Sequence, residues 1–374
     1  MYYANEIVDR IKKSNDVYIY GAGIVADEVA SCIMDKPYNI IPKAFIVTDM
    51  KNNPETFHGK KVITFEEFSN SENKDVLILV ACLEKVKREI FKTLEENGFK
   101  NIISLSFESD EWSNVRANYI MHYFHQRGLE YRNLHEELKK VNDKGQGGEI
   151  EIYRAISAMD KNLKEDISRF NWEKKIQVGA ALSDSQVSNI RDNTGENISG
   201  KNRMYCELTA LYWMWKNTSA EYLGLCHYRR HFVLTEEERR KLPQSDIDVV
   251  LTVPIANFPD VRTIYARDHI IEDWEILKKA IKEKYPDYYE DVEKLEKGNV
   301  YFAYNMFIAR REIFNKYCEF LFDVLDYCES HCVVKNDQYQ NRYLGFLGER
   351  LLSIFMFHHY DEYKIAVADK HFAE

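Results

Sequence analysis

The sequence predicts an α/β protein of two domains, and three observations predict it. A chain of 374 residues exceeds what one hydrophobic core usually organises, because single cores stop growing near roughly 250 to 300 residues. Close to the start, the apolar run Asp16 to Tyr20 enters Gly21-Ala22-Gly23 and then a helical stretch from Asp27 to Met34, the pattern of a strand, a glycine turn and a helix. A second series of apolar runs and amphipathic stretches begins only after Lys144-Gly145-Gln146-Gly147-Gly148, which breaks a charged helical pattern. The expected organisation is a first domain over 1–107, a helical linker over 108–146 and a second domain over 147–374.

In the first domain, the spaced glycines permit a tight turn and let backbone N–H groups at the helix start face a phosphate, while Ala26 allows close packing. Ala44 to Thr48 is the next strand, and it delivers Asp49 where dinucleotide folds hold a ribose-binding acid. Val76 to Cys82 is a third strand, Leu83 to Asn97 a helix, and Asn101 to Leu105 a fourth strand after Gly98. The first hundred residues thus resemble the short Rossmann-like domains attached to polysaccharide and sugar-modifying enzymes. Gly21, Gly23 and Asp49 are the candidate nucleotide residues, against a purely structural turn as the competing reading.

Composition narrows the function. A net charge of -10 repels phosphate backbones, and the short basic clusters are diluted by neighbouring acids, so no nucleic-acid partner is expected. The longest purely apolar run, Val76 to Leu83, is far below the roughly 20 residues of a membrane span, and the start has no signal-peptide core. Seven cysteines at wide spacings suit a reducing compartment, and a cytoplasmic location is expected. Cys328, His331 and Cys332 form a tight group with helical spacing. With no second ligand pair nearby, a packed helix end is the expectation there. An aromatic share of 13% permits ring stacking on bases and sugars.

In the second domain, Glu149 to Ile156 and Lys175 to Ala180 read as strands, and Ser183 to Asn202 is a polar loop. A helix is expected over Arg203 to Asn217, its aromatic face (Tyr205, Tyr212, Trp213, Trp215) packing mainly in the core. Glu221 to Cys226 is a buried strand that runs directly into His227-Tyr228-Arg229-Arg230-His231-Phe232. Cations at a strand end need an anionic partner, either internal acids or a diphosphate. Asp246-Ile247-Asp248 is a literal Asp-x-Asp, read as the polar entry of strand Val249 to Val253. His269 precedes a helix, where a capping or buried histidine competes with a ligand-facing one.

The words IQVGAALSD, DNTGENIS, YCELTALYWMWKN, YLGLCHYRRHF, YNMFIARREIF and YLGFLGERLL occur here in the order seen in a family of capsular and exopolysaccharide biosynthesis glycosyltransferases. This resemblance covers roughly 149 to 360. One departure is Met159-Asp160-Lys161, where the family's opening strand ends in a His-Lys pair. The order of elements also resembles the GT-A plan, an αβα sandwich in which a helix precedes a strand ending at a metal-binding Asp-x-Asp. Here His227-Tyr228-Arg229 occupies that place, so arginine charge is expected to stand in for some or all of the metal's, and dependence on a divalent cation stays open.

The resemblance implies a bacterial hexosyltransferase, of galactosyl or galactofuranosyl type. Its donor would be a nucleoside diphosphate sugar, a UDP-sugar in the first instance, and its acceptor a glycan or lipid-linked molecule reached at a membrane surface. Donor-binding candidates are Gln177, Gly179, Asp192, Asn193, Asn197, Asn202, Tyr205, His227, Arg229, Arg230, His269 and Asn305. Glu349 is the first candidate for the catalytic base, placed near a helix N-terminus by the preceding glycines. Asp337 is the second. Two other function classes stay open: an NAD(P)-dependent sugar-nucleotide oxidoreductase using the N-terminal turn, and a noncatalytic sugar-nucleotide-binding regulator.

Overall fold

Val17-Tyr18-Ile19-Tyr20 is buried throughout, as a strand covered on both faces by helices requires. In the computed structural model it lies inside a six-stranded sheet ordered Thr56–Phe57, Lys60–Thr64, Phe45–Val47, Val17–Tyr20, Leu77–Val80, Ile102–Ser104. The structure describes residues 6–106, 109–143, 145 and 148–374. Residues 107, 108, 146 and 147, which bound the expected domains, and Lys144 of the glycine break lie outside these.

The chain divides into two units, one running to Gly128 and including Ala256–Pro259, the other formed by Leu129–Ile255 and Asp260–Glu374. In the first unit every strand pair is parallel except the hairpin of Thr56–Phe57 with Lys60–Thr64. Counted along the chain, the five parallel strands stand in the order 3-2-1-4-5, shared with doubly wound dinucleotide folds. One sheet face, including Tyr18, Ile46 and Ile78, packs against Phe68, Leu94 and Phe99. The strand Lys60–Thr64 escapes the sequence reading because its apolar residues are flanked by lysines.

The expected helical linker is divided instead of separate. Asp110–Gln126 belongs to the first unit, where the Tyr38 hydroxyl donates to the Val115 carbonyl at 2.8 Å and the Tyr119 hydroxyl to Asp35 at 2.7 Å. Leu134–Lys139 belongs to the second, with Leu134 and Leu138 in its core. An amphipathic pattern shows that a helix has a buried face, not which sheet buries it.

The second unit is built on a mixed sheet whose main path is Ile365–Ala368, Val249–Thr252, Phe307–Arg310, Tyr222–His227, Ile150–Ile156, Lys174–Gln177, Ile190–Arg191. Phe307–Arg310 runs antiparallel to both neighbours, and the other pairs on this path are parallel. Numbered along the chain and read from Ile190–Arg191, this path is 3-2-1-4-6-5-7 with the sixth strand reversed. Arg230–Phe232 pairs with the end of Tyr222–His227 and with Lys370–Phe372. The parallel strands all end on one edge, where α/β sheets place their ligands, and the reversed strand begins there.

The helix expected over Arg203 to Asn217 forms as two pieces, Asn202–Tyr205 and Leu208–Asn217. Cys206 between them adopts φ 52°, which ends the first piece and sets Glu207 at the start of the second. Among the described residues no helix is long and apolar enough to cross a membrane.

Candidate functional site

His227 is the last residue of the central strand Tyr222–His227. Its Nε2–H donates to the Tyr304 carbonyl at 2.5 Å, which leaves Nδ1 as the ring's acceptor. Burial lowers its pKa, so at neutral pH the ring is uncharged and any positive charge here comes from elsewhere. Tyr304 and Asn305 lead into the reversed strand with φ of 73° and 51°. Left-handed backbone in non-glycine residues costs on the order of 1–3 kcal/mol each and persists only where the surroundings hold it.

What holds it is a polar junction. The Asn305 side-chain amide donates to Glu207 at 2.8 Å and to the Gly345 carbonyl at 3.3 Å, and Glu207 lies 3.9 Å from His227 Nε2. Asn305 is fully buried, yet its Oδ1 has no hydrogen-bond partner. A buried acceptor left open carries a desolvation cost.

Helix Tyr343–His358 completes the junction because glycines let it approach. A Cβ at Gly345 would stand 3.1 Å from Cys206 Sγ, and one at Gly348 would stand 2.7 Å from Leu208 Cδ1 and 3.3 Å from Asn305 Oδ1. These glycines lie inside the helix and do not precede it, so Glu349 sits in its second turn. That corrects the expected N-terminal position: the sequence pattern did not distinguish glycines that start a helix from glycines that let it pack. Burial raises the Glu349 pKa, and Glu207 adds to the rise, against Arg350, a Tyr304 backbone hydrogen bond and Arg230. The Arg350 guanidinium is 2.9 Å away, and the Glu349 side chain keeps 22% exposure. The result is a carboxylate with raised proton affinity at an accessible position, as a general base needs.

Arg229 and Arg230 follow His227. Arg230 lies over the Tyr304 ring at 4.5 Å and Arg229 over Phe372 at 4.8 Å. Among the described residues neither has a carboxylate at ion-pair distance, and Arg229 Nε is buried with no partner. Other arginines of the unit are neutralised: Arg239 by Glu236, Arg240 by Asp143, Arg310 by Asp248.

Several other expected donor residues build the frame around this junction. Asp192 is fully buried and accepts from the Gly179 and Ala180 N–H groups at 2.8 and 3.0 Å and from the Ser199 and Thr209 hydroxyls at 2.5 and 2.7 Å. Gln177 holds Ser185 and Val187, the Asn202 amide donates to the Cys206 carbonyl at 2.7 Å, and the Tyr205 hydroxyl donates to Glu329 at 2.9 Å. Asn197 folds onto Gly195 and Ser199 in the exposed turn that also contains Asn193. Their polar groups are spent on the unit's own loops and helices.

His269 instead stacks on Phe346, ring centres 3.9 Å apart, with Nδ1 buried and unpartnered. Burial, and then Arg350, pushes its pKa down to about 4. Asp337 is exposed and accepts from the Gln340 N–H at 2.7 Å, a turn cap away from the junction's hydrogen bonds. Glu207, Tyr304 and Arg342 were not singled out as site residues in the sequence. Arg342 reaches Cys206 Sγ at 3.2 Å, 136 positions away in the chain, and no local signal in the sequence marks that contact.

In the first unit, Gly21 has φ 131° and a Cβ there would lie 2.2 Å from the Ala81 carbonyl oxygen, so packing alone requires glycine. Gly23 faces open space, and Asp49 accepts from the Lys51 N–H at 2.8 Å. Asp246 and Asp248 sit at the entry of their strand, paired with Lys364 and Arg310. His331 bonds the Tyr327 carbonyl within its own helix. Among the described residues, Glu173, Cys226 and His231 are a buried group with metal-ligand chemistry, their donor atoms within 4.8 Å of one another. Arg154 lies 3.4 Å from Glu173 and His231 2.9 Å, which balances that carboxylate internally.

Comparison with known proteins places this geometry. A structure of WbbM, a bifunctional glycosyltransferase without ligand, aligns with a TM-score of 0.53 at 27% identity, covering 60% of this chain and 45% of that one. The match thus spans less than half of WbbM, and both share an α/β glycosyltransferase fold. No curated protein matches. The family model described as a domain of unknown function, DUF4422, matches residues 158–360, more than half of the chain and every residue of the junction, and this protein belongs to that family.

Proposed function

We propose that the second unit is a glycosyltransferase that moves a hexose from a UDP-sugar to a glycan or lipid-linked acceptor in capsular or exopolysaccharide synthesis in the bacterial cytoplasm. The observation that carries this reading is the pair Arg229–Arg230 at the end of the central strand, two guanidinium groups with no carboxylate at ion-pair distance among the described residues. Such a pair matches a departing diphosphate, whose charge grows as its bond to the sugar breaks. The helix Leu208–Asn217 preceding strand Tyr222–His227 fits the GT-A plan, with arginine where that plan has Asp-x-Asp.

The chemistry then follows from position. The acceptor hydroxyl attacks the anomeric carbon, its proton passes to Glu349, and the electrons of the anomeric C–O bond leave with the diphosphate. Asn305, held by Glu207 and the Gly345 carbonyl, fixes the entry to the reversed strand beneath the donor sugar. Galactose, as pyranose or furanose, is the donor sugar we favour from the family's biosynthetic setting, and the arginines make the step light in its demand for a divalent cation. The WbbM likeness supports the transferase reading at its coarsest level. The test is release of UDP from a panel of UDP-sugars, with and without a chelator and with NAD(P)H followed in parallel. UDP release independent of nicotinamide is expected, and no release from any donor by folded protein would sink the proposal.

A further inference from the structure

Tyr339 is an aromatic ring left 50% exposed at the turn before helix Tyr343–His358. An exposed tyrosine alone is ordinary. This one caps a continuous stack: its ring centre lies 5.2 Å from Phe346, and Phe346 lies 3.9 Å from His269. His269 in turn meets Tyr265 at 4.9 Å, and Arg350 lies over Tyr265 at 5.1 Å and against Glu349 at 2.9 Å. Phe346 is three residues before Glu349 on the same helix, hence on a neighbouring part of its surface. Arg342 spans from 5.5 Å over the Phe346 ring to Cys206, beside Glu207. The stack therefore abuts Glu349 through Arg350, while Arg230 and Tyr304 act on Glu349 from the strand ends.

Resting on the transferase reading, we infer that Tyr339 forms the floor of the acceptor subsite and stacks against the C–H face of the acceptor's terminal sugar. The partner chemistry follows from the ring. A saccharide ring carries a face of C–H groups, weakly positive and apolar, which suits the negative face of an aromatic ring. The Arg342 guanidinium, with no carboxylate at ion-pair distance among the described residues, offers donors to the same sugar's hydroxyls at the edge of the stack. An acceptor seated there would meet Glu349 across Arg350, the residue that joins the stack to that carboxylate.

The experiment is saturation-transfer NMR on the full chain with UDP present, using methyl galactopyranoside, methyl galactofuranoside, methyl glucopyranoside and methyl N-acetylglucosaminide as probes, with UDP affinity measured in parallel. Saturation is expected on the C–H protons of at least one glycoside. Tyr339→Ala should weaken that glycoside by about tenfold, the scale of one aromatic stacking contact, with UDP affinity retained, and Tyr339→Phe should restore it. The inference is overturned by no saturation on any probe with wild-type protein, by undiminished saturation with Tyr339→Ala, or by an equal loss of UDP affinity in that variant, which would mark Tyr339 as structural. Absence of UDP binding in the wild type strikes the transferase reading instead.

Discussion

Both units of this chain present a central parallel strand that ends in a turn at the edge where α/β sheets hold ligands, and the two turns differ in kind. After Val17–Tyr20 comes Gly21, whose φ of 131° and 2.2 Å approach to the Ala81 carbonyl oxygen make the turn a packing solution. After Tyr222–His227 come Arg229 and Arg230, whose charges no carboxylate neutralises at ion-pair distance among the described residues. The same topology thus delivers two different edges. A sheet order places a site, and the residues that follow the strand decide whether it has chemistry.

The sharpest test of that contrast removes both charges. Arg229→Gln with Arg230→Gln should cut UDP release about a thousandfold, since each charge-assisted contact contributes roughly 1.5–3 kcal/mol. Unchanged turnover and UDP affinity in the folded double variant would erase the distinction between the two edges.

Next in size is Glu349→Gln, which keeps shape and removes the proton acceptor. Transfer should fall about a hundredfold with donor affinity nearly intact. The pH profile sharpens this. The Glu349 pKa lies above its ordinary 4.5, and the base works only when deprotonated, so the wild-type rate should rise with pH through a limb above that value. The variant should lose the limb. The folded state holds this proton more tightly than the unfolded one, so the same group makes stability fall as pH rises through the window from 4.5 up to the raised value. A limb that persists in Glu349→Gln assigns the base elsewhere, and Asp337→Asn is then the variant to measure.

A smaller effect is expected at Gly348→Ala, whose Cβ would meet Leu208 Cδ1 at 2.7 Å. Overpacking should lower stability by about 1–3 kcal/mol, and moving Glu349 away from Asn305 should slow transfer roughly tenfold. Thermal melting and turnover measured together separate the two. The smallest effect on turnover belongs to Gly21→Ala. It should destabilise the first unit by about 1–3 kcal/mol, seen in a melt, while UDP release stays within about twofold of wild type. A turnover loss matching that of the arginine variants would show the first unit's turn to be part of the catalytic site.

The helix Tyr343–His358 shows how far the pattern of residues carries a reading. Its apolar run made a helix legible, and its glycines looked like a helix start, whereas their use is to admit Cys206, Leu208 and Asn305. Asp192 and Asn202 belong to a polar stretch whose composition suits a ligand as well as a fold, and only their hydrogen bonds show Asp192 holding the Gly179 turn and Asn202 the break between the two helix pieces. The divided linker is the same lesson on a larger scale, since the amphipathic faces of Asp110–Gln126 and Leu134–Lys139 are written locally and their partners are not.

The features legible from residue order alone are local and periodic: two sets of buried strands, the glycine turn, the basic words at the end of Tyr222–His227, and the helices between them. These follow from residue type and short spacing, which dictate backbone conformation and a buried face wherever the segment ends up. Which charges remain unpaired and which residues meet is settled only when the chain folds. Glu207 reaches Asn305 across 98 positions, and Arg342 reaches Cys206 across 136. No spacing encodes such meetings, because they depend on strand order, on left-handed backbone at Cys206, Tyr304 and Asn305, and on a helix close enough to touch only where it has no side chain.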